Sequence, residues 1–80
     1  MKFVRKQACA CCGYKTIERA LEICYVCWWQ QDHYQEEVDT NDADGPNYVS
    51  IEVARENYRQ LGACEKEFVK DAKPPSPHDL

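Results

Sequence analysis

The spacing of apolar positions changes along this chain, and each change marks an element. Tyr14-Lys15-Thr16-Ile17 alternates and is rich in strand formers; Leu21-Glu22-Ile23 alternates again, apolar at both ends. With Arg19-Ala20 near the turn, these two segments are expected to pair as a hairpin. Phe3-Val4-Arg5 reads as a short edge strand before them. From Ser50 the period lengthens: Ile51, Ala54, Tyr58 and Leu61 fall at i, i+3, i+7 and i+10, one stripe of a helix. Ser50 suits the N-cap and Glu52 the first turn. Arg55 and Arg59 lie toward the C-terminal end, and Gly62 supplies the stop. A helix over Ile51–Leu61 is thus predicted, with a further turn or two across Glu65–Ala72 anchored by Phe68 and Val69. Residues 35–49 show no period, contain the turn signal Gly45-Pro46-Asn47, and read as a loop whose length is usually functional or mobile. Pro74, Pro75 and Pro77 mark residues 73–80 as a disordered tail, more a solvated end than a polyproline ligand.

The cysteines change this picture. Cys9/Cys12 and Cys24/Cys27 form two Cys-x-x-Cys knuckles separated by 11 residues. Four soft thiolates in two short turns are what a tetrahedral zinc ion takes, with sulfur about 2.3 Å from the metal. If Gly13–Ile23 runs out and back, the knuckles come to lie side by side, and Gly13 suits the positive φ that ends a knuckle. Cys11 and Cys64 are left over, expected to pack as small buried hydrophobes, with Cys11 also donating its backbone N–H to a zinc sulfur. Because Cys11 adjoins Cys12, Cys9/Cys11 remains a conceivable register.

At 80 residues the chain makes one domain, residues 1–72, near the size where a core alone stabilises weakly. Structural zinc contributes an apparent ~10–16 kcal/mol in small peptides, against total stabilities of about 5–15 kcal/mol. The metal is therefore expected to decide whether the chain folds. A disulfide framework is the rival reading of six cysteines. The adjacency of Cys11 and Cys12 and the charged start Met1-Lys2-Phe3-Val4-Arg5-Lys6, which lacks the apolar stretch of a signal peptide, favour a reducing cytoplasm instead. No run approaches a membrane span.

Charge is segregated within the net −4. Lys2, Arg5, Lys6, Lys15 and Arg19 make the first 19 residues basic, whereas residues 20–54 hold eight acids and no Lys or Arg. An acidic surface repels phosphate backbones and suits a basic protein partner. Asp32, Glu36, Glu37, Asp39, Asp42 and Asp44, with whichever of Trp28 and Trp29 alternation turns outward, are the expected partner-binding residues. Thr40–Gly45 superficially resembles a calcium loop. It lacks Asp at the first position and has Ile51 where Glu would be needed, so a solvated acidic loop is the better reading. His33 and His78 do not assemble a nuclease site, and four thiolates leave no open coordination position for water, so no enzyme is expected.

The stretch from Cys9-Ala10-Cys11-Cys12-Gly13-Tyr14 through Glu22-Ile23-Cys24-Tyr25-Val26-Cys27-Trp28-Trp29, then Gly45, Asn47 and Ser50–Cys64, resembles the bacterial cysteine-rich CPCC proteins. Their pattern runs CPCCGY, a spacer, EICPVCFWE-D, a Gly/Asn loop and a helix like SLxEARxNYxxFGAC. Ala10 and Tyr25 stand where that pattern has knuckle prolines, which removes turn rigidity without removing a ligand. The resemblance implies a zinc-ribbon-like fold, a bacterial cytoplasmic setting and an association with toxin–immunity loci. The expectation is thus a small α+β domain, a zinc-ribbon-like hairpin packed on a C-terminal helix and holding one structural Zn2+. It would act, as a monomer when free, as an immunity protein that occludes a basic toxin or effector domain. The alternative is a nucleic-acid-binding or transcription-associated zinc ribbon that uses the basic N-terminal residues.

Overall fold

The computed structural model describes residues 6–80. The expected edge strand at Phe3-Val4-Arg5 lies outside them. Two short strands, β1 (Gln7–Ala8) and β2 (Lys15–Ile17), pair antiparallel, and one α-helix, α1 (Ile51–Leu61), comes after the acidic segment. This is a small α+β fold.

The hairpin is not the one that alternation suggested. β2 pairs backward with β1, Gln7 opposite Ile17 and Ala8 opposite Lys15, and not forward with Leu21–Ile23. The first knuckle is itself the turn: Cys9 N donates to Tyr14 O at 2.8 Å and Gly13 N to Cys9 O at 2.8 Å, so the flanking residues leave it already antiparallel. A second hairpin repeats the arrangement around the second knuckle. Cys24 N donates to Trp29 O, Trp28 N to Cys24 O and Gln31 N to Glu22 O, with Ile23 bridged to Gln30. Residues 18–22 form a compact turn between the two units. Glu22 Oε1 accepts the Glu18 and Arg19 amides at 2.8 and 3.0 Å, and Leu21 sits at φ 63°.

The two knuckle turns correspond at an offset of 15 residues, which sets Trp28 opposite Gly13. Both have left-handed backbone, φ 70° and 84°. A non-glycine residue there is strained by roughly 1–3 kcal/mol, and Trp28 offsets this by packing. Its ring stacks on Phe68 with centroids 6.0 Å apart, and its Nε1 donates to Asp71 O at 2.8 Å. The left-handed step also cancels the alternation expected of tandem tryptophans: Trp29 is fully buried and Trp28 half-buried, so neither is exposed.

Helix α1 has the predicted bounds. Ser50 accepts Val53 N at 3.2 Å and Gly62 closes the helix at φ 81°. Ile51 and Ala54 are buried and Tyr58 half-buried, but Leu61, the last member of the stripe, is exposed. Polar bonds tie the helix to both knuckles. Arg55 Nε donates to Ala10 O at 2.8 Å, and Asn57 Nδ2 to Cys64 O, while Cys64 N donates to Cys27 O. After it, Lys66–Phe68 forms a single 3-10 turn with Val69 exposed.

The tail that composition marks as disordered folds back instead. Lys73 N donates to Val26 O, and Pro77–Asp79 makes a 3-10 turn closed by a Ser76/Asp79 capping box. Asp79 is 1% exposed and accepts from Ser76 N, Ser76 Oγ and the Tyr25 hydroxyl. Tyr25, standing at the proline position of the second knuckle, is thus the latch for the C-terminus. Replacing Tyr25 by Phe removes the hydroxyl that donates to Asp79 and accepts from Ser76 N, and is expected to cost about 1–2 kcal/mol. Amide exchange should accelerate across residues 73–79 while α1 stays protected; unchanged tail protection would refute the latch.

Candidate metal centre

Each knuckle delivers two sulfurs to one point. The Sγ atoms of Cys9, Cys12, Cys24 and Cys27 all lie within 4.8 Å of one another, with Cys9–Cys27 at 3.5 Å and Cys12–Cys24 at 3.7 Å. A tetrahedron with about 2.3 Å metal–sulfur bonds has edges of about 3.8 Å. Donor type, number and spacing therefore fit a metal ion. Three of the four are buried and Cys12 is half-buried. None of the six cysteines forms a disulfide. Cys12 and not Cys11 joins this group; Cys11 is buried in the core that also contains Cys64, with its thiol next to that of Cys27.

The cluster's electrostatics arise from crowding four thiols together. Cys24 is held far below the usual thiol range by the Cys12 thiol first, then by the Cys27 and Cys9 thiols and the Thr16 hydroxyl. The other three are pushed well above it: Cys9 by Cys12 first, Cys12 by Cys24, and Cys27 by Cys11. A divalent cation would replace the thiol protons, since metal-bound cysteine is thiolate. Backbone donors already face part of the cluster, Cys12 N–H toward the Cys9 sulfur and Tyr14 N–H toward the Cys12 sulfur. Outside the cluster, burial pushes the Cys64 thiol up and raises Tyr58 to about 12.

The acidic segment is more structured than a loop. Tyr34–Val38 forms a π-helical turn, and Gln35, fully buried, organises the residues up to Asn47. Its Oε1 accepts from Asn47 N and Nδ2 at 3.0 and 2.9 Å, and its Nε2 donates to Asp42 O and Asn47 O at 3.0 Å each. Asn47 in turn pairs with the backbone of Gln30 as a strand would, accepting its N–H and donating to its carbonyl, both at 2.8 Å. Gly45 lies flat against the Gln35 amide, where a Cβ would come within 2.8 Å. Sequence reading missed this hub; the signal was Asn47 following Gly45-Pro46, with an uncharged Gln35 at the head of the acidic stretch.

Of the expected partner-binding acids, Glu37, Asp39 and Asp44 are exposed and Asp32, Glu36 and Asp42 half-buried. Glu36 is structural: its Oε2 accepts Trp29 Nε1 at 2.8 Å and Asp32 N at 2.7 Å. Asp32 accepts Gln35 N, Asp39 accepts Asn41 N, and Asp42 accepts Asp44 N. Exposed Glu37 pairs with His33. The apolar groups this segment shows to solvent are Tyr34, Val38 and Tyr48, not the tryptophans.

Fold and site together define a small α+β domain whose four cysteines from two knuckles can hold a metal ion. The family model described as Cysteine-rich CPCC matches residues 7–79, and the chain belongs to that family. No curated protein matches it. Among the described residues, no helix is long and apolar enough to cross a membrane.

Proposed function

We propose that Cys9, Cys12, Cys24 and Cys27 hold one structural zinc ion in a zinc-ribbon-like arrangement, and that the domain is a non-enzymatic protein-binding module. The observation that carries the metal assignment is the set of four mutually adjacent sulfurs. Their number fills a tetrahedral shell, so the ion serves the fold and leaves no position for substrate. Elemental analysis of protein purified without added metal should find about one zinc per chain; another metal, or none, would overturn the zinc assignment.

The partner we propose is a basic toxin or effector domain, which the chain would neutralise as a cytoplasmic bacterial immunity protein. Support comes from the acidic segment, held out by the Gln35–Asn47 hub with Glu37, Asp39 and Asp44 exposed and Tyr34, Val38 and Tyr48 beside them in sequence. Aromatic anchors within a charged rim suit a protein interface, and the acids would steer a basic partner. The triple variant Glu37→Gln, Asp39→Asn and Asp44→Asn tests this, because amide oxygens preserve the turn acceptors. Its melting temperature should stay near the parent's, while association with a basic partner slows about tenfold at low salt and protection in a toxin–immunity growth assay weakens. Full protection would remove the acidic segment from recognition. Glu36 is left out of that set: Glu36→Gln should destabilise by about 1–2 kcal/mol, since it weakens acceptance from a buried indole.

A further inference from the structure

Thr16 and Ile17 are consecutive in β2 and both buried, 4% and 1% exposed, although a strand with one face in solvent buries alternate residues only. Ile17 enters the core. Thr16 points the other way and is covered by the cysteine cluster, where its Oγ1 lies 3.0 Å from Cys24 Sγ; its other polar neighbour, Tyr14 O, is at 3.5 Å. This bond crosses between the units, from the strand that leaves the first knuckle to the leading cysteine of the second.

Charge gives that crossing a purpose. Four thiolates around a divalent cation carry a net charge of about −2, which needs donors where it is buried. The first knuckle supplies backbone N–H groups to Cys9 and Cys12. For Cys24 the donor other than its neighbouring thiols is the Thr16 hydroxyl. Threonine is stiff at χ1, so the hydroxyl direction is fixed by the strand.

We infer that Thr16 is a positioning residue of the metal centre, donating its hydroxyl to the Cys24 thiolate and orienting that ligand for the ion. The inference rests on the proposal that the four cysteines hold a metal. Outer-shell partners of this kind are typically worth 10- to 100-fold in metal affinity. A bound thiolate that loses its donor also becomes a stronger electron donor and a better nucleophile.

The test uses the full chain with Zn2+ or Co2+ alone as probe, measured by competition with a chelator. Thr16→Val should bind Zn2+ at least tenfold more weakly. In Co2+-loaded protein its sulfur-to-cobalt charge-transfer absorption should move to longer wavelength, and Cys24 should be alkylated faster. Thr16→Ser, which keeps the hydroxyl, should restore all three. Parental affinity and spectrum in Thr16→Val would overturn the assignment, as would a serine variant that behaves like valine. If Thr16→Val does not fold, the parent loaded with 113Cd decides: a slowly exchanging Thr16 hydroxyl proton coupled to the metal nucleus is expected, and one exchanging at the solvent rate overturns it. A parent that binds neither ion would instead refute the metal proposal itself.

Discussion

Replacing Cys9 or Cys27 by Ser is expected to abolish tight metal binding and unfold the domain at room temperature. Both sulfurs are buried in the core, and the hairpins around them span only a few residues each. The described core otherwise rests on a few larger groups such as Ile17, Val26, Trp29 and Ile51, which cannot alone hold a chain of this size. Losing ~10 kcal/mol of metal coupling from a domain with about 5–15 kcal/mol in hand removes most of the stability. Circular dichroism and zinc content should fall together. Cys11→Ser should retain the metal, because Cys11 lies outside the four-sulfur group.

The zinc-loaded domain should lose structure in acid. Metal-bound cysteines have folded pKa values below the unfolded one, so the stability they contribute is present above that value and lost on acidification as protons displace the ion. Zinc release and loss of circular dichroism should coincide as pH falls; a fold that outlasts its zinc in acid would contradict the metal's structural role.

The second large effect is expected at Asn47. Asn47→Ala strips both partners from the Gln30 backbone and one donor from Gln35, inside a buried network with no unsatisfied side-chain atom among the described residues. Each orphaned buried group costs about 1–3 kcal/mol, so a loss near 3 kcal/mol is expected. Gln35→Ala should cost a similar amount, and the double variant much less than the sum, because the two side chains satisfy one another. Additive losses in denaturant titrations would show that the hub does not act as a unit. A drop in partner binding without loss of zinc would show that the hub presents the acidic segment.

The features legible in the sequence are those that short-range chemistry dictates. The knuckle spacing named all four clustered sulfurs, because Cys-x-x-Cys turns both side chains one way within a single bend. The α1 boundaries could be read from Ser50 and Gly62, whose effects act within one helical turn. The remaining features depended on partners distant in the chain. Alternation in Tyr14–Ile17 located β2, but in Leu21–Ile23 it marked no strand, only the bridge of Ile23 to Gln30, and it did not show which edges meet. That was decided by the knuckles acting as the turns and by Leu21 and Glu22 diverting the chain between them. The tryptophans were expected to split between core and solvent, and a single left-handed residue, Trp28, held by Phe68 and Asp71 some 40 positions on, sent both inward. Acidic composition suggested a solvated loop and proline content a free tail. Gln35 with Asn47, and Tyr25 with Asp79, overrode both, since a buried polar group is tolerated only where the tertiary fold brings it a partner.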